Sequence, residues 1–242
     1  MILGSRRVVS WPRQPPALTE AQLAAREKFM QLWHEILPHR YQALEAFNHG
    51  WVAKLPRPDK CRTLEIGAGL GGHLPFENLD TQDYYCLELR PSFCDALKKK
   101  LGAERVIQGD IQMGIASDPH IWDRIIAIHT LEHLRDLPAA LKEVKRLLSP
   151  QGVFDVVIPC EGGLAYNLAR RISSQRVFES NFKMSYTPII KNEHVSEYPE
   201  IVTLLQDHFD IERYRFFPFL IPFYHPNLVV GFRLQQKKTA SL

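Results

Sequence analysis

Thr63-Leu64-Glu65-Ile66-Gly67-Ala68-Gly69-Leu70-Gly71-Gly72 is the stretch on which the reading of this chain turns. A short apolar run enters it. Gly67, Gly69 and Gly71 then let the backbone turn tightly and come close to a ligand. A strand that runs into such a loop marks the ligand-binding edge of an open α/β sheet. The literal pattern Gly67-x-Gly69-x-x-Gly72 also occurs in dinucleotide-binding proteins, so spacing alone leaves the ligand open.

Charge narrows the choice. Glu65 stands immediately before the loop, where a pyrophosphate would be repelled and a cation attracted. Pro75 disfavours the helix that a phosphate site needs next. Glu88 closes a second strand about twenty residues beyond the loop, where an acid accepts ribose hydroxyls. In Val106-Ile107-Gln108-Gly109-Asp110-Ile111 a third strand ends on another acid. Asp110 can accept from an adenine amino group, and Ile111 can lie against the ring. A nucleoside that carries an ammonium and a sulfonium, S-adenosylmethionine, satisfies all three acids.

Outward from the loop, strands are expected over residues 62–66, 84–88, 105–108, 124–128 and 153–159, and helices over 91–101 and 137–148, closed by Ser149-Pro150-Gln151-Gly152. The alternation implies a mainly parallel sheet with helices on both faces. Residues 161–175 read as a helix, 176–193 as an aperiodic insertion or lid, 197–208 as a helix, and 211–217 and 228–234 as strands. The connection between the last two strands is short, so they should be antiparallel. Ahead of the first strand, residues 1–17 read as a loose Pro-rich arm. Helices from Thr19 and over 40–54 follow it, with Leu23, Phe29, Met30 and Trp33 at helical spacing in the first. The division is thus residues 1–58 as arm and helical extension and 59–242 as the main domain, with 161–196 as its lid.

Leu64-Glu65-Ile66-Gly67-Ala68-Gly69-Leu70-Gly71, Leu87-Glu88, Gly109-Asp110-Ile111 and Leu147-Leu148-Ser149-Pro150-Gln151-Gly152 resemble, in order and spacing, the motifs of class I, Rossmann-like S-adenosylmethionine-dependent methyltransferases. The resemblance covers about residues 60–160 well. It implies a seven-stranded α/β sheet in the order 3-2-1-4-5-7-6, with the last strand antiparallel. It also implies S-adenosylmethionine as cofactor. The residues expected to bind it are Glu65, Gly67, Ala68, Gly69, Gly71, Glu88, Leu89, Asp110, Ile111 and His129.

The fourth strand ends in Ile128-His129-Thr130-Leu131-Glu132-His133-Leu134. His129, His133 and the later His194 are the candidate catalytic residues, since histidine titrates near neutrality and can serve as a base. Glu132 and His133 also resemble part of a Glu-x-x-Glu-His metal motif of ubiquinone-pathway and small-RNA 2′-O-methyltransferases. His194 stands where a later ligand could enter, and His129 replaces the first Glu. A divalent metal on Glu132, His133 and His194 is therefore the alternative to a metal-free set, and the mixed donors suit Mn, Fe or Zn better than Mg. Pro218-Phe219-Leu220-Ile221-Pro222-Phe223-Tyr224-His225 is expected to line an apolar acceptor pocket with the lid, with packing beneath the lid as the competing reading.

Composition sets the outer bounds. The 242 residues are 45% hydrophobic and 24% charged with a formal net charge of +3, which suits one globular unit and gives no nucleic-acid signature. Lys98-Lys99-Lys100 and Lys237-Lys238 read as solvated clusters. Cys61, Cys86, Cys94 and Cys160 make no Cys-x-x-Cys pair, which suits a reducing compartment. No leader or membrane-spanning run is evident, so a cytoplasmic location is expected. The expected partner is a small-molecule methyl acceptor. The alternatives are RNA or protein methylation and a non-catalytic cofactor-binding or scaffolding member of the fold, with NAD chemistry more remote. The sequence carries no signal for oligomeric state.

Overall fold

In the computed structural model, which describes residues 10–237, the apolar runs around the glycine loop become strands of one sheet. They are β1 (Cys61–Ile66), β2 (Gln82–Glu88), β3 (Val106–Gln108), β4 (Trp122–Ile128), β5 (Leu148–Pro159), β6 (Phe209–Phe217) and β7 (Val229–Gln236). The order is β3-β2-β1-β4-β5-β7-β6. β7 runs antiparallel to both neighbours and the remaining pairs are parallel. Ile66 pairs with Leu87 and Ala127, and Ile128 with Val157, so these strands end at one edge.

Strand alternation sorts the side chains into two layers. Leu64, Ile66, Ile125, Ala127 and Val156 face α4 (Leu137–Leu147) and α8 (Tyr198–His208). Tyr84, Cys86, Ile126 and Val157 pack with α2 (Gln42–Ala53) and α3 (Pro91–Leu101). Local signals set the helix starts. Asp136 accepts from the Ala139 N–H ahead of α4, and Glu197 and Glu200 form a capping box at α8.

The α/β alternation is less complete than the sequence suggests. Between β1 and β2, Leu74–Phe76 and Leu79–Thr81 are single 3₁₀ turns, the first containing Pro75. Between β3 and β4 only Ile111–Met113 is helical, again as one 3₁₀ turn. Phe47 and Val52 of the N-terminal helix α2 pack on the face that a β1–β2 helix would otherwise cover.

Two expectations are corrected. Most of residues 176–193 is helical: α5 (Leu164–Arg170), a π segment (Arg171–Gln175) and α6 (Arg176–Phe182) form one continuous rod, and after a bend at 183–186 comes α7 (Thr187–Glu193). The π segment breaks the 3.6-residue period. The apolar face formed by Phe178, Tyr186, Ile189 and Ile190 is completed by Ala25 and Phe29 of α1 (Glu20–Arg40), so neither half reads as a core alone. The described part of the arm is pinned as well. The Arg13 N–H donates to Arg135 O at 2.7 Å, Arg13 pairs with Glu200, and Asn192 donates to Pro16 O. Residues 1–9 of the arm, and Lys238 of the Lys237-Lys238 pair, lie outside the described residues. No helix among the described residues is long and apolar enough to cross a membrane.

Candidate active site

The glycine loop folds back onto β2. Gly67 and Ala68 donate to Leu87 O, and Gly69 donates to the Glu88 carboxylate at 2.9 Å. Gly67 has a φ of +68° and lies against Thr130, whose Oγ1 would be 2.6 Å from an added Cβ, so no other residue fits. Gly69, at φ +56°, has open space above it. Glu88 is 7% exposed and also accepts from the N–H groups of Leu89 and Arg90. Leu89 is exposed beside it. Asp110 caps the turn after β3 and accepts from Gln112 through backbone and side chain.

Two expected cofactor residues sit differently from the sequence reading. Strand alternation turns Glu65 away from the loop, and its carboxyl is buried behind it against Tyr84 Oη at 2.8 Å. Burial dominates there and pushes its pKa up to about 8, so Glu65 is largely neutral at pH 7 and not a displayed anion. Ile111 is buried in the core with Leu87 and Leu131, so its side chain is not offered to a ring. Leu89 is the exposed apolar surface beside Glu88.

At the next strand end the candidate catalytic residues come together. His129 adopts φ +50°, and its Nδ1 faces Glu132 Oε1 at 3.2 Å. Glu132 and His133 lie on a 3₁₀ turn, Leu131–His133, and His194 caps the end of α7. The Glu132 carbonyl accepts from Val195 N–H, which ties the two segments together. Donor atoms of Glu132, His133 and His194 all lie within 4.8 Å of one another.

Hydrogen bonding fixes the tautomers. His133 Nδ1 faces the Glu193 carbonyl at 2.8 Å, which can only accept, so this nitrogen carries the proton. His194 Nδ1 faces the carboxylate of Glu161. In each neutral ring Nε2 is left as the atom able to ligate or take a proton. Glu132 is 1% exposed and its Oε2 is buried with no partner. Burial alone would raise its pKa, but the hydrogen bond from His129 and the three surrounding histidines hold it at about 2. Burial would lower the pKa of His194; the charge and hydrogen bond of Glu161 prevail and raise it. Burial and the neighbouring His194 lower that of His133.

Glu161 escaped the sequence reading, which placed it at a helix start. It is buried at the carboxyl end of β5 and bonds both His194 and Arg170. The signal was the one that selects Glu88 and Asp110, an acid just past a strand end, applied to one more strand. Glu161, Arg170 and His194 line a cavity of about 140 Å³ between the π segment and α7. Phe219 and Phe223 do not line it, and each is 53% exposed.

Comparison with known proteins bears on the domain and its fold. Residues 64–156 match the family model of a methyltransferase domain. A fumosorinone synthetase from Cordyceps fumosorosea is 32% identical over 111 residues; the match takes in 41% of this chain, which spans about 3% of that much longer protein. A Thermotoga maritima S-adenosylmethionine-dependent methyltransferase, described as a possible histamine N-methyltransferase, has a similar structure. Its TM-score is 0.64 at 19% identity, over 88% of this chain and 99% of that one. The geranyl diphosphate C-methyltransferase of Streptomyces coelicolor, solved with Mg²⁺, geranyl diphosphate and S-adenosylhomocysteine, gives 0.57 at 12% identity, over 91% and 100%. At such identities the structural likeness speaks to the fold.

Proposed function

We propose that the chain is a class I S-adenosylmethionine-dependent methyltransferase that methylates a small, polar acceptor bound beside Glu132, His133 and His194, which together hold a divalent metal ion. The observation that carries the metal is the partnerless buried Oε2 of Glu132. A buried carboxylate oxygen without a donor is costly unless a cation completes it. Both histidines present Nε2 while Nδ1 is held by an oxygen, as metal-bound histidines are. Two nitrogens and one carboxylate suit Mn, Fe or Zn.

The residues around the loop fit the cofactor. Gly69 leaves room above the backbone, and the Glu88 carboxylate can accept ribose hydroxyls in place of its bond to the Gly69 N–H. Asp110 can accept from the adenine amino group, and Leu89 offers an apolar contact. When bound, S-adenosylmethionine supplies an activated methyl group on a sulfonium. The chain then has to orient the acceptor, exclude water and manage one proton. His129, whose Nδ1 faces Glu132, is placed to take the acceptor proton at Nε2. A cation on Glu132, His133 and His194 would lower the pKa of an acceptor hydroxyl.

The small cavity beside Glu161 supports an acceptor group of few atoms. Metal content of the purified protein, Mn²⁺ titration, and a screen of metabolites and RNA with labelled methyl donor test the proposal together. Full activity in chelator with no bound metal leaves the histidines as a metal-free general-base set. Labelling confined to RNA removes the small-molecule reading.

A further inference from the structure

We infer that the outer face of α5 and the loop after β6 form a docking surface for anionic phospholipid. Leu164, Leu168 and Ile172 recur every four residues along one side of the rod and are 74%, 61% and 63% exposed. Phe219, Leu220, Ile221 and Phe223 are each more than half exposed on the loop. The two segments adjoin. Ala165 N–H donates to His225 O at 2.8 Å, and Gly163 lies against the Tyr224 backbone. Scattered exposed hydrophobics are ordinary, but a contiguous set marks a contact surface.

The loop holds these side chains outward by construction. Asn227 is fully buried at its base. Its Oδ1 accepts from Phe219 N–H, and its Nδ2 donates to the carbonyls of Ile221 and Phe223. With the backbone secured on that side, the apolar side chains have only the outer side to occupy.

Charge selects the occupant. Residues 162–178 contain no Asp or Glu, and Arg171 and Arg176 are exposed on the same rod. Residues 217–231 contain no acid either. An apolar stripe flanked by arginines suits the boundary between headgroups and acyl chains, with guanidinium groups on phosphates. A protein partner of ordinary composition gives no reason for acids to be absent from both segments. Docking would also place the lid rod, and with it Arg170 and the cavity beside Glu161, near the lipid surface. The inference does not rest on the methyl-transfer reading, because its readout is binding alone.

The test is co-sedimentation of the full chain with vesicles of phosphatidylcholine, with and without added phosphatidylserine. The chain should partition onto the anionic vesicles and be released by salt. Leu168→Ser with Leu220→Ser should lower partition roughly tenfold or more, since both side chains would leave the apolar phase. Arg171→Glu with Arg176→Glu should lower it at least about fivefold on anionic vesicles only. All four positions are exposed, so unchanged melting serves as the folding control. Failure to sediment with either vesicle, or binding that ignores the leucine pair, overturns the inference. Self-association that the leucine pair abolishes, without vesicle binding, assigns the surface to a second copy of the chain and also overturns it.

Discussion

Among the described residues, a buried charge cluster under α2 and another at the strand ends treat their carboxylates differently. Under α2, Asp155 receives Arg124 Nε and a two-nitrogen grip from Arg233, each at 2.8 Å. Glu77 takes Arg124 and His73 on one oxygen and Gln82 on the other. Both carboxylates are therefore fully engaged by the protein. At the strand ends, Glu132 is as deeply buried but has one oxygen with no partner. The carboxylates of the first cluster are saturated by the fold, although His73 Nδ1 has no partner, and the carboxylate of the second keeps one oxygen open. Burial and charge alone do not separate the two acids; the saturation of their oxygens does.

Breaking the first cluster should have the largest effect. Arg124→Met leaves Asp155 and Glu77 buried with too few donors, a loss of about 3–5 kcal/mol. In a chain of this size that lowers the melting temperature by roughly 10 °C or more. If melting is unchanged, the cluster is not a structural staple. Acid gives the next largest effect. The interactions that outweigh burial at Glu77, hydrogen bonds and the Arg124 charge, hold its pKa at about 2, against an ordinary 4.5. The stability this contributes is present above pH 4.5 and is lost as pH falls toward 2. It amounts to up to roughly 3 kcal/mol. Denaturant melts of Glu77→Gln should show a flatter pH dependence across that window.

The second cluster should respond the opposite way. Glu132→Gln should cost the metal-free protein less than Arg124→Met does, because one of its carboxylate oxygens has no partner to lose. It should weaken Mn²⁺ binding by about a hundredfold or more, read by calorimetry. Glu161→Gln should weaken Mn²⁺ binding less, by about 10- to 100-fold, because it acts by orienting His194. A Glu132 variant that loses as much stability as Arg124→Met would erase the distinction between the clusters.

Glu65 belongs to neither pattern and sets the smallest effect. Its carboxyl is buried behind the loop, and burial pushes its pKa up to about 8. Because it faces away from the ligand, Glu65→Gln should leave the pH dependence of S-adenosylmethionine affinity unchanged, read by calorimetry. Proton release on binding that disappears in Glu65→Gln would put the carboxyl back in the cofactor site.

Much of this was legible in the chain. The strand ends at Glu88 and Asp110 follow from local apolar runs broken by turn residues, and the loop follows from glycine's freedom at positive φ. The cluster residues Glu132, His133 and His194 were legible as chemistry but not as a group, because about sixty residues separate the last from the others. Glu161 was passed over because, although the strand before it was legible, it was taken as the first residue of the helix that follows. Residues 176–193 were unreadable as helices because Phe178 and Ile189 complete their core only against Phe29 of α1.

The sequence by itself determined the strands and the edge where they end on Glu88 and Asp110, since both depend on short-range periodicity and turn chemistry; their order came through the family resemblance. Only the tertiary structure decided which acids are charged and which are satisfied. It buried Glu65 into neutrality, saturated Asp155 with two arginines, and left Glu132 with an open oxygen. Those outcomes depend on desolvation and on partners distant in the chain, and no local pattern encodes either.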